Sequence, residues 1–319
     1  MKTRLWFRSS PDRSQRRTCG RIARHPLELN LHHYFLHNDD VLDTHARTLS
    51  AGQVGLLNGW GVFSTMRVAD GVLFAFERHW DRMRHDAALT HVPFPSAADW
   101  LKSRLLRLVE ANAAWNATLR VAVVRNHGGL FEGPDQKRDF DVIAFTTDLN
   151  PWGSSLRLAV KPNGRYAASE FAGVKVMSWA QNLTWYEEAH QRGFDEALLL
   201  NERGEASECT SANIFAIRGR EVWTPPLASG CLPGVTRALL IEEIRVPGIT
   251  ALEKTLFPKD LEAADQVFVS SSTRDFLPVA YIEGLTVRSQ GSVLGELSGA
   301  FEEYRRAYVA RTASVTAPK

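Results

Sequence analysis

The stretch from Phe171 to Phe215 constrains the fold more than any other part of the chain. It contains one short, wholly apolar run, EALLL (196–200), bounded by polar turn residues, which is the pattern of a buried strand. The polar turn NERG (201–204) follows, then Glu208, then a second strand, ANIFAI (212–217). Residues 184–191 ahead of the first strand read as a helix. Before that helix lies Lys175, the only lysine between Lys161 and Lys254. Its neighbours are apolar: Phe171, Ala172, Val174, Val176 and Met177. Two readings are open. A lone lysine in an apolar run can snorkel or end a strand. Alternatively it is held in a setting that disfavours the ammonium form, and a neutral amine is what Schiff-base chemistry requires.

The whole chain is long enough for two medium domains with real cores: 319 residues, 44% of them hydrophobic. No apolar run reaches the roughly 18 residues of a membrane helix. Three cysteines (Cys19, Cys209, Cys231) show no CxxC spacing, so neither a disulfide framework nor a zinc site is indicated, and a reducing compartment is expected. The formal charge of +2 hides an asymmetry. Residues 1–25 carry eight Lys/Arg and a single acid, Asp12, which leaves the remaining chain at −5. Nucleic-acid binding by the body of the protein is therefore not expected. The basic arm, 1–30, reads as a disordered extension, with an organelle transit peptide as the alternative.

The first domain is expected over 31–150. His32, His33 and His37 lie on a first strand, where alternation of exposed and buried positions explains them without a metal. A hairpin and connector follow. The run 59–68 is β-rich with an Asp70-Gly71 turn, and VLFAF (72–76) is expected to be its partner strand. Helices are expected over 77–89 and 100–109, and strands over 119–125 and 140–147. Asp148–Ser155 reads as an interdomain linker. The second domain, 151–310, holds strand LRLAVK, the Lys175 segment, the strands around Glu208, a hairpin (AIRGREVWTPP), a helix opened by LPGVTR (232–237) and strand QVFVSS (266–271). A helix over 292–310 and a disordered tail over 311–319 complete it.

Two features here suit an anion. The helix after Pro233-Gly234 has free first-turn amides at Val235 and Thr236. Arg82, on the helix at 77–89, has a planar fork that stays charged. Taken together, Lys175, Glu208 after a strand–turn unit, ANIF, TPPL, LPGVTR and HWDRM (79–83) are similar in order and spacing to the class IV (fold type IV) aminotransferases. That family includes branched-chain and D-amino-acid aminotransferases, R-selective amine transaminases and aminodeoxychorismate lyase, and the resemblance covers roughly residues 33 to 285.

The resemblance implies a two-domain α/β (α+β) fold with a smaller N-terminal α/β domain and a larger C-terminal pseudo-barrel. It also implies a homodimer and pyridoxal 5′-phosphate as cofactor. Lys175 would carry the Schiff base and move the proton, and Glu208 would face the pyridine nitrogen. Arg82, Val235, Thr236 and Ser272, with Thr273 as neighbour, would hold the phosphate. Phe63, Thr65 and Arg67 match positions in or near the substrate pocket, Arg125 is a candidate for the substrate carboxylate, and Trp179 for restricting the pocket. The implied reaction is transamination between an amino acid or amine and a 2-oxo acid in the cytoplasm. Ala180 stands where branched-chain enzymes carry tyrosine. Thr65 and ECTSANIF resemble the lyases, whereas VMSW and the run 270–273 do not. Aminodeoxychorismate lyase, and a non-catalytic member of the fold, are the alternatives.

Overall fold

The computed structural model describes residues 30–48, 52–129 and 137–316. The N-terminal domain is built on strands β1 (Leu31–His37), β2 (Asp40–Asp43), β3 (Gly61–Ala69), β4 (Val72–Leu73), β5 (Ala117–Arg125) and β6 (Phe140–Asp148). They form one sheet in the order β2-β1-β6-β5-β3-β4. A short helix α1 (Val54–Asn58) precedes β3, while α2 (Phe76–Leu89) and α3 (Ala98–Ala111) pack on the sheet. Trp80, Met83, Leu101, Leu105 and Leu108 recur at helical spacing and meet Val121, Val123 and Val142 of the sheet in one core.

The second domain carries β7 (Leu156–Lys161), α4 (Ala180–Gln191), β8 (Glu196–Leu200), β9 (Ala206–Cys209), β10 (Asn213–Arg218) and β11 (Glu221–Thr224). It continues with α5 (Val235–Glu242), β12 (Thr250–Glu253), α6 (Pro258–Ala263), β13 (Gln266–Ser271), β14 (Asp275–Ile282) and α7 (Val293–Thr316). Its eight strands run in the order β12-β11-β10-β13-β14-β7-β8-β9 and curl as a half-barrel, matching the expected fold type. EALLL is β8, buried at all five positions. One face of this sheet closes around Leu158, Leu198, Ile214 and Val269. The other is covered by α5 and α7, with Val72 and Phe74 from the N-terminal domain packed among them.

Several expectations are corrected. VLFAF does not continue as a strand: β4 ends at Leu73, Ala75 turns left-handed at φ 54°, and Phe76 opens α2. Phe74 is drawn instead into an aromatic group with Phe301 and Tyr308 of α7. The helix expected from residue 184 begins at Ala180. α7 reaches Thr316, so residues 311–316 are helical rather than a disordered tail. β12, α6 and β14 went unread, the last because Pro278 sits inside it, as a proline can in a strand beside a register irregularity. His32, His33 and His37 each face a different carboxylate, Asp148, Asp43 and Asp141. Cys19, the basic arm up to residue 29 and residues 130–136 lie outside the described residues. Among the described residues no helix is long and apolar enough to cross a membrane.

Candidate active site

The Lys175 segment is added to the N-terminal sheet. Phe63 N–H donates to Lys175 O at 3.2 Å, Met177 N–H donates to Gly61 O at 2.8 Å, and Val62 bridges Val176. The approach is close enough to require glycine at 61, where a Cβ would lie 2.8 Å from Met177 Sδ and 2.7 Å from Val123 O. A residue of the second domain is thereby presented across the start of β3. The Lys175 amine sits 4.4 Å from the ring centroid of Phe63 and 4.5 Å from that of Trp179, and those two rings meet edge to face. Burial pulls its pKa down to about 7, and the neighbouring cations Arg82 and Arg120 push the same way. The amine is therefore about half neutral near pH 7 and free above it.

Lys175 lines a cavity of about 330 Å³ between the two domains. One end is an anion cup made from three elements. Helix α5 starts with no side-chain cap, so its first-turn amides at Val235 and Thr236 are open to a ligand. Gly234 precedes it, and a Cβ there would fall 2.0 Å from Asn213 Oδ1. The hairpin turn between β13 and β14 brings Ser272 and Thr273 to the same cavity. Arg82 reaches in from α2. Its Nη2 donates to Ser64 Oγ at 2.8 Å, while its Nε is buried without a partner among the described residues. Burial lowers the Arg82 pKa to about 10, so it remains a cation. Behind it, Ser64 Oγ is 2.7 Å from Nδ1 of His79, which burial and then the charges of Arg82 and Lys175 keep neutral.

Glu208 stands on β9, buried, on the cavity wall. Its Oε1 accepts from Arg165 Nε at 2.9 Å and its Oε2 from Leu232 N–H at 3.1 Å. Two fixed donors leave this carboxylate with acceptor capacity facing the cavity. Asn182 of α4 accepts from Arg165 at 3.3 Å and donates to Thr210 O at 2.6 Å, locking the turn after Glu208. Deeper, Glu196 is a hub. It accepts from Thr210 Oγ1, from Ser211 Oγ at 2.6 Å and from Arg274 Nη1 at 2.9 Å. The Arg274 guanidinium lies 4.0 Å from the Trp152 ring centroid.

Of the residues singled out in the sequence, Lys175, Arg82, Glu208, Val235, Thr236, Ser272, Thr273, Phe63, Thr65 and Trp179 all line this one cavity. Two do not. Arg67 turns to Asp275 of β14, with Nη1 3.1 Å from Oδ2. Arg125 lies over Trp60 and donates to the backbone oxygens of His127 and His91. The arginine that does reach the cavity from β5 is Arg120, which sequence reasoning missed. It pairs with Thr65 in the β3–β5 register and covers the Phe63 ring at 3.9 Å. Burial lowers its pKa too. The available signal was parity: in LRVAVVR, an arginine opposite Thr65 must share that residue's face. Arg274, Glu196 and Asn182 were also missed, since their roles depend on contacts between distant segments.

Residues 61–282 match the family described as amino-transferase class IV. Branched-chain-amino-acid aminotransferase of Salmonella typhimurium (strain LT2) is 27% identical over 251 residues, covering 72% of this chain and 78% of that protein. D-alanine aminotransferase of Listeria innocua is 26% identical over 279 residues, 83% of this chain and 94% of the relative. Among solved structures, a T.th. branched-chain amino acid aminotransferase with pyridoxamine 5′-phosphate superposes with a TM-score of 0.78 at 21% identity. That alignment covers 87% of this chain and 95% of the other. With the match spanning both domains and every wall of the cavity, the chain is an enzyme of the class IV amino-transferase family.

Proposed function

We propose that the cavity binds pyridoxal 5′-phosphate and that the protein transfers an amino group between an amino acid, or amine, and a 2-oxo acid. One observation carries this reading: a buried lysine amine with a pKa near 7 shares a cavity with a three-sided anion cup. The residues present fit the cofactor. The unpartnered Arg82 Nε, the buried Ser270 Oγ, likewise without a partner among the described residues, and the uncapped start of α5 are donors waiting for an anion. Gly234 keeps the backbone ahead of the helix free of a side chain, with Asn213 Oδ1 packed where a Cβ would stand.

Arg82, the amides of Val235 and Thr236, and the Ser272 and Thr273 hydroxyls would hold the phosphate. Glu208 would hold a proton at the ring nitrogen. When bound, this cofactor supplies a carbonyl that condenses with amines and a ring that takes up the electron pair left at the substrate Cα. Lys175 Nζ, neutral above about pH 7, would be the group that takes the proton from the substrate Cα and gives it back. Arg120 has no acceptor among the described residues, and it orients the substrate carboxylate beside Thr65. Phe63 and Trp179 wall the amine from water. We further propose a pair of chains as the working unit, because apolar Leu183 both lines the cavity and is exposed at its mouth, with exposed Phe171 and Tyr166 on the Lys175 segment.

The test is a visible absorbance spectrum of the purified protein, recorded while amino donors are added. The panel holds L- and D-branched-chain amino acids, D-alanine, R-1-phenylethylamine and aminodeoxychorismate. A lysine-bound cofactor band that one donor bleaches and a 2-oxo acid restores is expected, and the donor that does so fixes the substrate class. Pyruvate release from aminodeoxychorismate with the band unchanged would make the enzyme a lyase, a reading that Thr65 in the cavity wall supports. Absence of any band after incubation with pyridoxal 5′-phosphate would overturn the proposal.

A further inference from the structure

One buried carboxylate at the site has no part in the scheme above. Asp86 stands on α2 one turn beyond Arg82 and is 1% exposed. Its Oδ2 accepts a hydrogen bond from the backbone N–H of Lys175 at 3.2 Å. Its Oδ1 lies 3.5 Å from Nδ1 of His85, whose ring is mostly in solvent. An ionised carboxylate is costly in such a place unless opposite charge and donors surround it. Both are present. Burial raises the Asp86 pKa, the Lys175 backbone N–H and then the charge of Arg82 on the same helix work against it, and the Lys175 amine faces it from the segment crossing β3. The other charged or titratable groups that act on Lys175 or are acted on by it are His79 on α2, Arg120 on β5 and Glu208 on β9.

Position on the helix matters as much as charge. Residues four apart on a helix share a face. Arg82 and Asp86 therefore form one rigid edge of α2, which grips the anion cup with one residue and the lysine's main chain with the other. The N-terminal domain thereby fixes where the reactive amine of the second domain projects. Building on the cofactor reading above, we infer that Asp86 is the positioning residue of Lys175: it anchors the main chain from which the amine extends and supplies the buried negative charge that balances Arg82 beside it. Burial and the cations Arg82 and Arg120 drive the amine toward its neutral form, and Asp86 acts with Glu208 in the opposite sense.

The full-length protein, stripped of cofactor, is reloaded with pyridoxal 5′-phosphate, and the rate of band formation is followed by stopped-flow absorbance across neutral pH. The wild-type rate should rise to a plateau with a midpoint near the amine's pKa of about 7. Asp86→Asn keeps a hydrogen-bond acceptor but removes the charge. It should keep the plateau and move the midpoint down by about one pH unit. Asp86→Ala removes the acceptor as well, and its plateau should fall about tenfold or more. An unmoved midpoint in Asp86→Asn, or equal plateaus in both variants, would overturn the inference. So would a merely structural role, which lowers both plateaus and leaves the midpoint in place. Loading that survives Lys175→Ala would instead overturn the cofactor reading, and the inference with it. A normal wild-type profile beside an unmoved Asp86→Asn midpoint sinks the inference alone.

Discussion

Burial of its amine is what sets the chemistry of Lys175. Its pKa of about 7 against an ordinary 10.5 has two consequences with definite signs. Turnover should rise as pH passes through about 7 and then level, since only the neutral amine can take a proton; initial rates across that range check it. In the cofactor-free protein the unfolded lysine keeps its proton up to about 10.5 while the folded one loses it near 7. The unfolded state therefore binds more protons in that window, and folding stability should grow with pH inside it. Urea unfolding at two pH values within the window measures this, and a Lys175→Met control should lose the trend. A second prediction at this scale concerns Glu196 and Arg274, a pair with side chains 0% and 4% exposed. Glu196→Gln strands a buried guanidinium and should cost about 3–5 kcal/mol in urea unfolding. Pairing it with Arg274→Met should recover much of that loss, whereas strict additivity would deny the coupling.

At the scale of elements, the anion cup is built from a helix start, a hairpin turn and a helix face rather than from the middles of strands. Helix α5 presents its amides because Gly234 ends the turn before it without a side chain. Gly234→Ala would press a Cβ on Asn213, whose Nδ2 holds Leu232 O at 2.9 Å. We expect a loss of about 1–3 kcal/mol in stability. On the proposed reading, which puts the phosphate at that turn, binding of pyridoxal 5′-phosphate should weaken more than binding of pyridoxal. Equal weakening of the two, read by equilibrium titration, would place the phosphate elsewhere. These features were legible in the sequence because each is local: Pro-Gly before an amphipathic run, a serine-threonine turn after a strand, an arginine on a helix face. Arg120 was not legible in that way. A strand arginine points to solvent or to a cavity according to what covers its face, and only the β3–β5 register shows that Thr65 and Phe63 share it.

At the scale of the whole molecule, α7 closes the back of the second domain and reaches into the first. Val293, Leu294, Leu297, Phe301 and Tyr308 are buried, and Phe301 and Tyr308 pack against Phe74 beside α2. Tyr308 also donates to Glu77 of α2 at 2.6 Å. Each of these side chains contributes roughly 1.5–3 kcal/mol by burial, so together they rival the about 5–15 kcal/mol that holds an ordinary domain folded. A chain truncated before Val293 should therefore fail to show a cooperative thermal transition. One that melts like the full chain would mean that α7 is dispensable. Helix α7 runs on to Thr316, so residues 311–316 are helical where disorder was expected.

The sequence by itself determined the strands and helices with strong period and clear punctuation, the mixed α/β class, and the choice of Lys175, Arg82, Glu208 and the α5 start, which the structure brings to one cavity. Short-range chemistry suffices for these: apolar runs must be buried, and an uncapped helix start binds anions wherever it is placed. Only the tertiary structure decided that Arg120 faces the cavity while Arg67 is spent on Asp275 and Arg125 on backbone oxygens. It also decided that Asp86 lies behind the lysine and that Glu196 ties two cavity walls together. Those assignments turn on which of several charged side chains meets an opposite charge from a segment tens of residues away. Such meetings are fixed by sheet register and helix packing, for which a single sequence carries no local mark.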